Sequence, residues 1–548
     1  MKKRIIYLIL PCLLLIHTGC EEEFLELTPT DAIAADDALA TTGNMRLVIN
    51  GLHRLLYAQS QVILPGGSST FSGEHYWISA DDAIVGNVIH SAPSNGWLRA
   101  ELQWNAHTLP TDGINFHMWY QRYHIIASAS AIINKVEEDG IPVDGDLADI
   151  LGQAYAYRAY AYYQLITHFA KGYLVGNPAT DPGVPLQTGT EPPYTSGPRA
   201  SVQEIYDLMN TDIEESIAFF QQANPRCTGT PDCKSNLNLN TAYGLKARIA
   251  ITSGDWEAAA QAAAQARIGY PLMSETEWKS GFNTLDLPEV IWGSNVISTE
   301  TVFFRSYFYL MSNTFNGSQN RGNPKIFNQA VYNQIPDTDY RKDVVLPLAP
   351  NTNPSANNDQ GGTNPIQDPN YVDLPRERFF EVRDSIRSVY GTNSTGHQLH
   401  PYMHYKMKNR NPGTIDPDDI ILMRSSEMYL IEAEAHAMQG NISASQAALQ
   451  ELVGERNTAY DATAFATPEA LMDEIKFQWY VEMFGEGFGY ENHIRWDEPL
   501  DLTGSGADLG YYGDGFQQAA PSSNENWIWK IPQAEIDANP NLTEADQN

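Results

Sequence analysis

The sequence predicts a mostly α-helical protein: a tetratricopeptide-like helical-repeat scaffold with long loop-rich insertions and a few short strands. Three observations predict it. Several long stretches carry apolar residues at helical spacing. Two Ala-rich units have the spacing of a tetratricopeptide helix pair. Between and around them run stretches rich in Asn, Gly, Pro and aromatics, longer than ordinary connections. Of the 548 residues, 42% are hydrophobic and 18% charged, enough to bury a core.

From the start of the chain, Lys2, Lys3 and Arg4 precede an apolar run over residues 5–16, and Thr18 and Gly19 precede Cys20. That is the layout of a secretory signal peptide over residues 1–19. The run falls short of the ~20 apolar residues a membrane span needs, and Pro11 interrupts it. Cleavage before Cys20 leaves an N-terminal cysteine open to acylation, and two or more acyl chains hold a protein lastingly on a membrane. Glu21, Glu22 and Glu23 then open a tether over residues 20–36, and residues 37–548 read as one domain.

Within that domain the helices come in order. "GINFHMWYQRYHIIASASAIINKVEE" sets Trp119, Tyr123, Ile126, Ile133 and Val136 near one face. "QAYAYRAYAYYQLITHFAKGY" is a second helix. "SVQEIYDLMNTDIEESIAFFQQ" opens on Ser201 with Glu204 three residues on, a capping box. "AYGLKARIAITSGDWEAAAQAAAQARIGYP" is the first helix pair: small residues let the helices approach, Gly254 makes the turn and Pro271 ends the unit. "EMYLIEAEAHAMQGNISASQAALQELVGERN" is the second, with Gly440 at the turn. The insertions fall near residues 60–112, 272–415 and 498–526, and "DLPEVIWGSNVI" reads as a strand entering the middle one. Trp119 and Trp292 sit in regular periods and are expected in the core.

Net charge is −33, and loss of residues 1–19 removes three basic residues and no acid. Such a surface repels nucleic acid and anionic lipid heads. In an oxidising compartment Cys227 and Cys233, flanking a Gly/Pro turn, are expected to form a local disulfide.

Five segments, in this order along the chain, resemble the SusD/RagB family of outer-membrane nutrient-binding lipoproteins of Bacteroidetes. "CEEEFLELTPTD" is similar to the segment after the lipidated cysteine, and "ISADDAIV" to a recurrent acidic motif. "ILMRSSEMYLIEAEAHAMQGN" is similar to the family's Arg-x-x-Glu helix through Arg424, Glu427, Ala433, Glu434 and Ala435. "VEMFGEGFGYENHIRW" carries the motif around Glu482, Glu486, Gly487, Arg495 and Trp496, and "IPQAEIDANPNLTEADQN" is close to the usual ending. The resemblance implies a lipid-anchored protein on the outer face of the outer membrane. It implies a partnership with a SusC-like TonB-dependent transporter, to which a captured oligosaccharide or polysaccharide is delivered. It implies neither catalysis nor a cofactor. A peptide ligand is the alternative within the family, and a secreted glycoside hydrolase the alternative outside it.

A neutral sugar offers C–H faces to aromatic rings and hydroxyls to Asn, Asp and Arg. The loop-rich stretches supply Asn87, Trp97, Arg99 and Trp104, then Phe304, Tyr307, Tyr309 and Asn313. Trp97 and Tyr307 are the expected platform, with Asn87, Arg99 and Asn313 reading hydroxyls. Other chemistry is weakly signalled. There is no H-E-x-x-H and no G-x-S-x-G. His397, His400 and His404 are expected to be loop histidines rather than metal ligands. Asp81 and Asp82 are expected to serve a cap or loop-closing hydrogen bond rather than to act as the paired carboxylates of a glycosidase. The acids between Asp416 and Asp419 suit either calcium or a helix N-cap.

Overall fold

A computed structural model describes residues 38–59, 73–90, 98–189, 196–224, 231–301, 304–316, 323–346, 401–506 and 518–548, with short strand pieces at 349–350, 352–353, 362–363 and 371–372 and single positions 384 and 388. The expected signal peptide and tether with Cys20, and also Trp97, Cys227, His397 and His400, lie outside the described residues. The chain divides into two compact units, Met1–Val48 and Ile49–Asn548. Of the first, the structure describes residues 38–48, where helix α1 (Thr42–Leu55) begins. The second carries the remaining helices and the strands.

Capping residues set the helices where apolar periodicity foretells them. In α3 (Gly113–Glu138), the Asp112 carboxylate accepts from Ile114 N at 3.0 Å. In α4 (Gly145–Phe169), Asp144 accepts from Leu147 N at 2.8 Å. The predicted box of Ser201 and Glu204 is formed in full at the start of α5 (Val202–Gln222). Helix α6 (Leu239–Ser253) ends at Gly254 with φ 79°, a left-handed turn that suits glycine, and Asp255 then caps α7 (Trp256–Ala266). The later pair, α8 (Ser425–Met438) and α9 (Ile442–Arg456), is joined through Gly440, φ 73°.

These helices pack in series: α3 on α4, α4 on α5, α5 on α6, α6 on α7, α7 on α8, then α8 on both α9 and α10 (Pro468–Glu482). The middle of the array is lined with alanine. Helix α7 buries Ala259, Ala260, Ala262, Ala263 and Ala266, and α8 buries Ala433, Ala435 and Ala437. Side chains this small bring helix axes close, which a tetratricopeptide-like stack requires. Trp119 and Trp292 are buried, as their periodicity predicts.

The strand foreseen at "DLPEVIWGSNVI" is Val290–Ser294, paired antiparallel with Ile420–Arg424. A second, antiparallel sheet has the order Val88–His90, Lys325–Phe327, Met403–His404, Val345–Leu346. His404 is therefore a buried strand residue and not a loop histidine. Burial, with Lys325 and Lys406 nearby, pushes its imidazole down to about 3, so the ring is neutral.

A buried ionic network joins these parts. Arg424 donates to Glu289 at 2.8 Å, to Glu482 at 2.7 Å and to Glu486 at 2.7 and 2.8 Å. Arg456 reaches Glu289 and Glu482. Arg341 bridges Asp339 and Glu482, at 2.6 and 3.0 Å. Lys406 donates to Glu486 and to the carbonyls of Glu482 and Phe484. Separately, Arg495 and Trp496 both donate to Glu434. The charged residues of the two family-like motifs thus work inside the fold.

Candidate ligand-binding face

Helix α2 (Glu74–Ile84) is buried along its whole length. Its 11 residues span roughly 16 Å at ~1.5 Å each, and its two ends carry different surroundings.

At the N-terminal end, Arg54 of α1 and the residues just after that helix meet Glu300, Thr301 and Phe304. The Tyr57 hydroxyl donates to Glu300 Oε2 at 2.5 Å, and Arg54 Nε reaches the same oxygen at 3.1 Å. Gln59 donates to the Phe304 carbonyl at 3.0 Å and accepts from the Thr301 hydroxyl at 2.6 Å. The Tyr57 hydroxyl, and after it the Arg54 guanidinium, hold the Glu300 carboxyl below the usual range, so it stands ionised. The half-buried Phe304 ring lies 5.3 Å from that of Tyr309, with the Arg305 guanidinium 5.4 Å from its centroid. Arg305 has a left-handed backbone, φ 65°, strain of a kind that collects at binding sites. A small hollow of about 10 Å³, lined in part by Tyr57, His75, Thr301, Ser306, Tyr307 and Asp418, opens here. It has room for about one water. Two exposed aliphatics, Ile297 and Ile415, stand next in sequence to this neighbourhood. An aromatic ring, a carboxylate, a guanidinium and an amide within one small area can hold a polyol ring: the apolar groups take the C–H face and the polar ones the hydroxyls.

The expected site residues do not all meet here. Phe304 does. Tyr307 is 5% exposed, with its hydroxyl donating to the Gly485 carbonyl at 2.8 Å. It lines the hollow beside Tyr57, but with so little surface exposed it is not the open platform expected of it. Tyr309 is buried edge-on to Phe315. Asn313 is buried, holding the carbonyls of Lys325 and His404 and accepting from Lys325 N. It stitches strands together and does not read hydroxyls. Trp104 donates its indole N–H to the Ile84 carbonyl and sits edge-on to Trp527; it too is core. Arg99 is exposed. Asn87 is bound to Asp82 at 3.0 Å beyond the C-terminal end of α2, away from Phe304. Sequence reading missed Arg54, Tyr57, Gln59 and Glu300. Their one signal was polarity (Gln59, Glu300) at the edges of apolar runs.

The acid pairs have internal work. Asp82 accepts from the backbone N–H groups of Gly487 and Gly489, both at 3.1 Å, and Asp81 pairs with His168 at 3.0 Å. Asp82 has the loop-closing role expected of the pair, whereas Asp81 instead ties α2 to α4 through His168. Asp418 accepts from Arg410 N, and Asp419 from Leu285 N and Val296 N. Neither caps a helix, since Arg424 begins α8 without a side-chain cap. Among the described residues no group of His, Cys, Asp and Glu is placed to hold a metal ion. Cys233 is disulfide-bonded.

The fold is thus a helical-repeat scaffold with loop-rich insertions that carries this polar and aromatic face. The chain belongs to the SusD family: the model of that family matches residues 268–548, and a second, described as starch-binding associating with outer membrane, matches residues 78–251. SusD-like protein P38 of Formosa agariphila is 23% identical over 484 residues, covering 80% of this chain and 88% of its own. Among solved structures, a SusD-like carbohydrate binding protein from Bacteroides vulgatus superposes with a TM-score of 0.71 at 20% identity, covering 92% of this chain and 98% of its own. Surface glycan-binding protein A from Bacteroides fluxus gives 0.60 at 15%, covering 93% and 99%. At such identities the structural likeness is one of fold. Among the described residues no helix is long and apolar enough to cross a membrane.

Proposed function

We propose that this chain is a cell-surface lipoprotein, anchored in the outer membrane through acylated Cys20, that captures an oligosaccharide or polysaccharide. It delivers that glycan to a SusC-like TonB-dependent transporter and does not cleave it. The observation that carries this reading is the face around half-buried Phe304, whose carbonyl Gln59 ties to the segment bearing the Tyr57–Glu300–Arg54 cluster. Family membership and the carbohydrate-binding relatives support it. The commitment of Asp81 and Asp82 to His168, Gly487 and Gly489 supports the non-catalytic part, because a glycosidase needs two carboxylates that face one substrate.

The test is retardation of the purified protein in native gels cast with plant, host and microbial polysaccharides, with an assay for new reducing ends. At least one polysaccharide retards the wild type. Phe304→Ala weakens that retardation by about tenfold or more, in the range for an aromatic contact of 1–3 kcal/mol. No reducing ends form. Release of reducing ends overturns the non-enzymatic reading. Retardation unchanged in Phe304→Ala removes this face as the site.

A further inference from the structure

A cleft of about 240 Å³ lies beyond the opposite, C-terminal end of α2. Its lining includes the half-buried Tyr480 ring, with Phe327 and Phe484 almost wholly buried behind the surface. The Phe327 and Phe484 rings lie 4.7 Å apart, and the Tyr480 hydroxyl is 2.9 Å from His493 Nε2. Stacking on Trp527, centroids 5.5 Å apart, fixes His493 from behind. Its rim is polar: Asn87, Asn328, Glu498 and Asp501 all line it. Each rim group is already held in place by a local bond. Asn87 is held by Asp82, Asn328 by Ala330 N at 2.9 Å, Glu498 by Lys476 at 2.5 Å and Asp501 by Thr503 N at 2.8 Å.

We propose that this cleft is a second ligand site, which takes one neutral pyranose ring. Three features select that ligand. The volume lies below the ~300 Å³ at which sites for drug-sized molecules begin, so it suits a single ring and not a chain. The half-buried Tyr480 ring beside polar Asn87, Asn328, Glu498 and Asp501 matches a ring with one C–H face and hydroxyls around its edge. The lining includes two carboxylates and neither Lys nor Arg, which disfavours an anionic sugar. A carboxylate has about four acceptor positions, so one local bond leaves Glu498 able to receive a sugar hydroxyl. Because the rim groups are fixed beforehand, little ordering cost attends binding. The site is independent of the face around Phe304, from which α2 separates it.

Ala330 is exposed at the mouth, so Ala330→Trp fills the cleft without disturbing the core. Calorimetry on the full protein with the methyl glycosides of glucose, mannose and galactose, and with methyl glucuronide, reads the site. One or more neutral glycosides binds with a Kd on the order of 1 mM, and glucuronide binds at least about tenfold more weakly. Ala330→Trp abolishes the binding with an unchanged melting temperature. Glu498→Gln, a second and independent variant, weakens it about tenfold, the loss of one charged hydrogen bond. Phe304→Ala leaves it unchanged. The proposal is overturned if no neutral glycoside binds the wild type, if binding survives Ala330→Trp, or if Phe304→Ala abolishes it.

Discussion

Lys325 shows what one buried side chain does to the stability of the fold. It stands in the strand Lys325–Phe327 with 1% of its surface exposed. Its ammonium donates to the Ser312 carbonyl at 3.5 Å, and among the described residues no carboxylate pairs with it. Burial alone pushes it down to about 7. The unfolded chain keeps that proton to ~10.4. Below pH 7 both states are charged and the folded state bears the whole burial cost. Between 7 and ~10.4 the unfolded chain binds more protons, so stability rises with pH, and above that the cost is gone. Lys325→Met therefore stabilises the protein at pH 6 by up to about 4 kcal/mol. Urea melts at pH 6 and pH 9 should show the gain at pH 6 and a smaller one at pH 9; an equal or larger gain at pH 9 refutes the cause given. At this scale sequence reading was weakest. Tyr307, Tyr309 and Asn313 stand in a loop-rich stretch whose composition suits a ligand platform. Composition does not tell which way a ring points, and the Gly485 carbonyl and the Lys325 and His404 backbones claim Tyr307 and Asn313 from distant parts of the chain.

Elements fared better where their signals are local. The span of α3 and the capping box of α5 are written in adjacent residues, and both formed as read. Gly254 and Gly440 mark their turns because a left-handed backbone favours glycine. The strand Val290–Ser294 was legible too, but its partner Ile420–Arg424 lies far along the chain, and nothing local announces that pairing. The sheet joining residues 88–90, 325–327, 403–404 and 345–346 was invisible for the same reason. Gly293 shows how tight the legible strand is. A Cβ there would sit 2.4 Å from a Leu285 methyl and 2.5 Å from the Ile420 carbonyl oxygen, which belongs to the neighbouring backbone. A backbone atom cannot swing away as a side chain can. Gly293→Ala is therefore expected to cost about 1–3 kcal/mol. A fall of only a few tenths in urea titration would mean the two strands part easily.

At the scale of the whole molecule, stability is concentrated where insertions and scaffold meet. Glu289 comes from before the first strand of its pair, Arg341 and Lys406 from the middle insertion, Arg424 from the end of a strand, Arg456 from α9 and Glu482 from α10. Glu482 alone receives Arg341, Arg424, Arg456 and the Trp278 indole N–H. The four cations Arg341, Lys406, Arg424 and Arg456 face Asp339, Glu289, Glu482 and Glu486, so the cluster is balanced as a whole and unbalanced by any single loss. Its carboxyls respond accordingly: Arg456 and Arg424 hold Glu482 well below the usual range despite its complete burial. Removing one member leaves a buried charge without its partner, which costs ~3–5 kcal/mol, a large share of the ~5–15 kcal/mol of a typical fold. Arg424→Met should lose that amount, whereas Lys279→Ala, which breaks half-exposed pairs with Glu275 and Asp343, should lose under ~1 kcal/mol. Because the network ties the α9–α10 helices to residues 289, 341 and 406, the helical signal in circular dichroism and the tryptophan fluorescence should shift together in Arg424→Met. A fluorescence transition that moves while the helical one stays would show that the insertions unfold apart from the scaffold, and that the network belongs to the insertions alone.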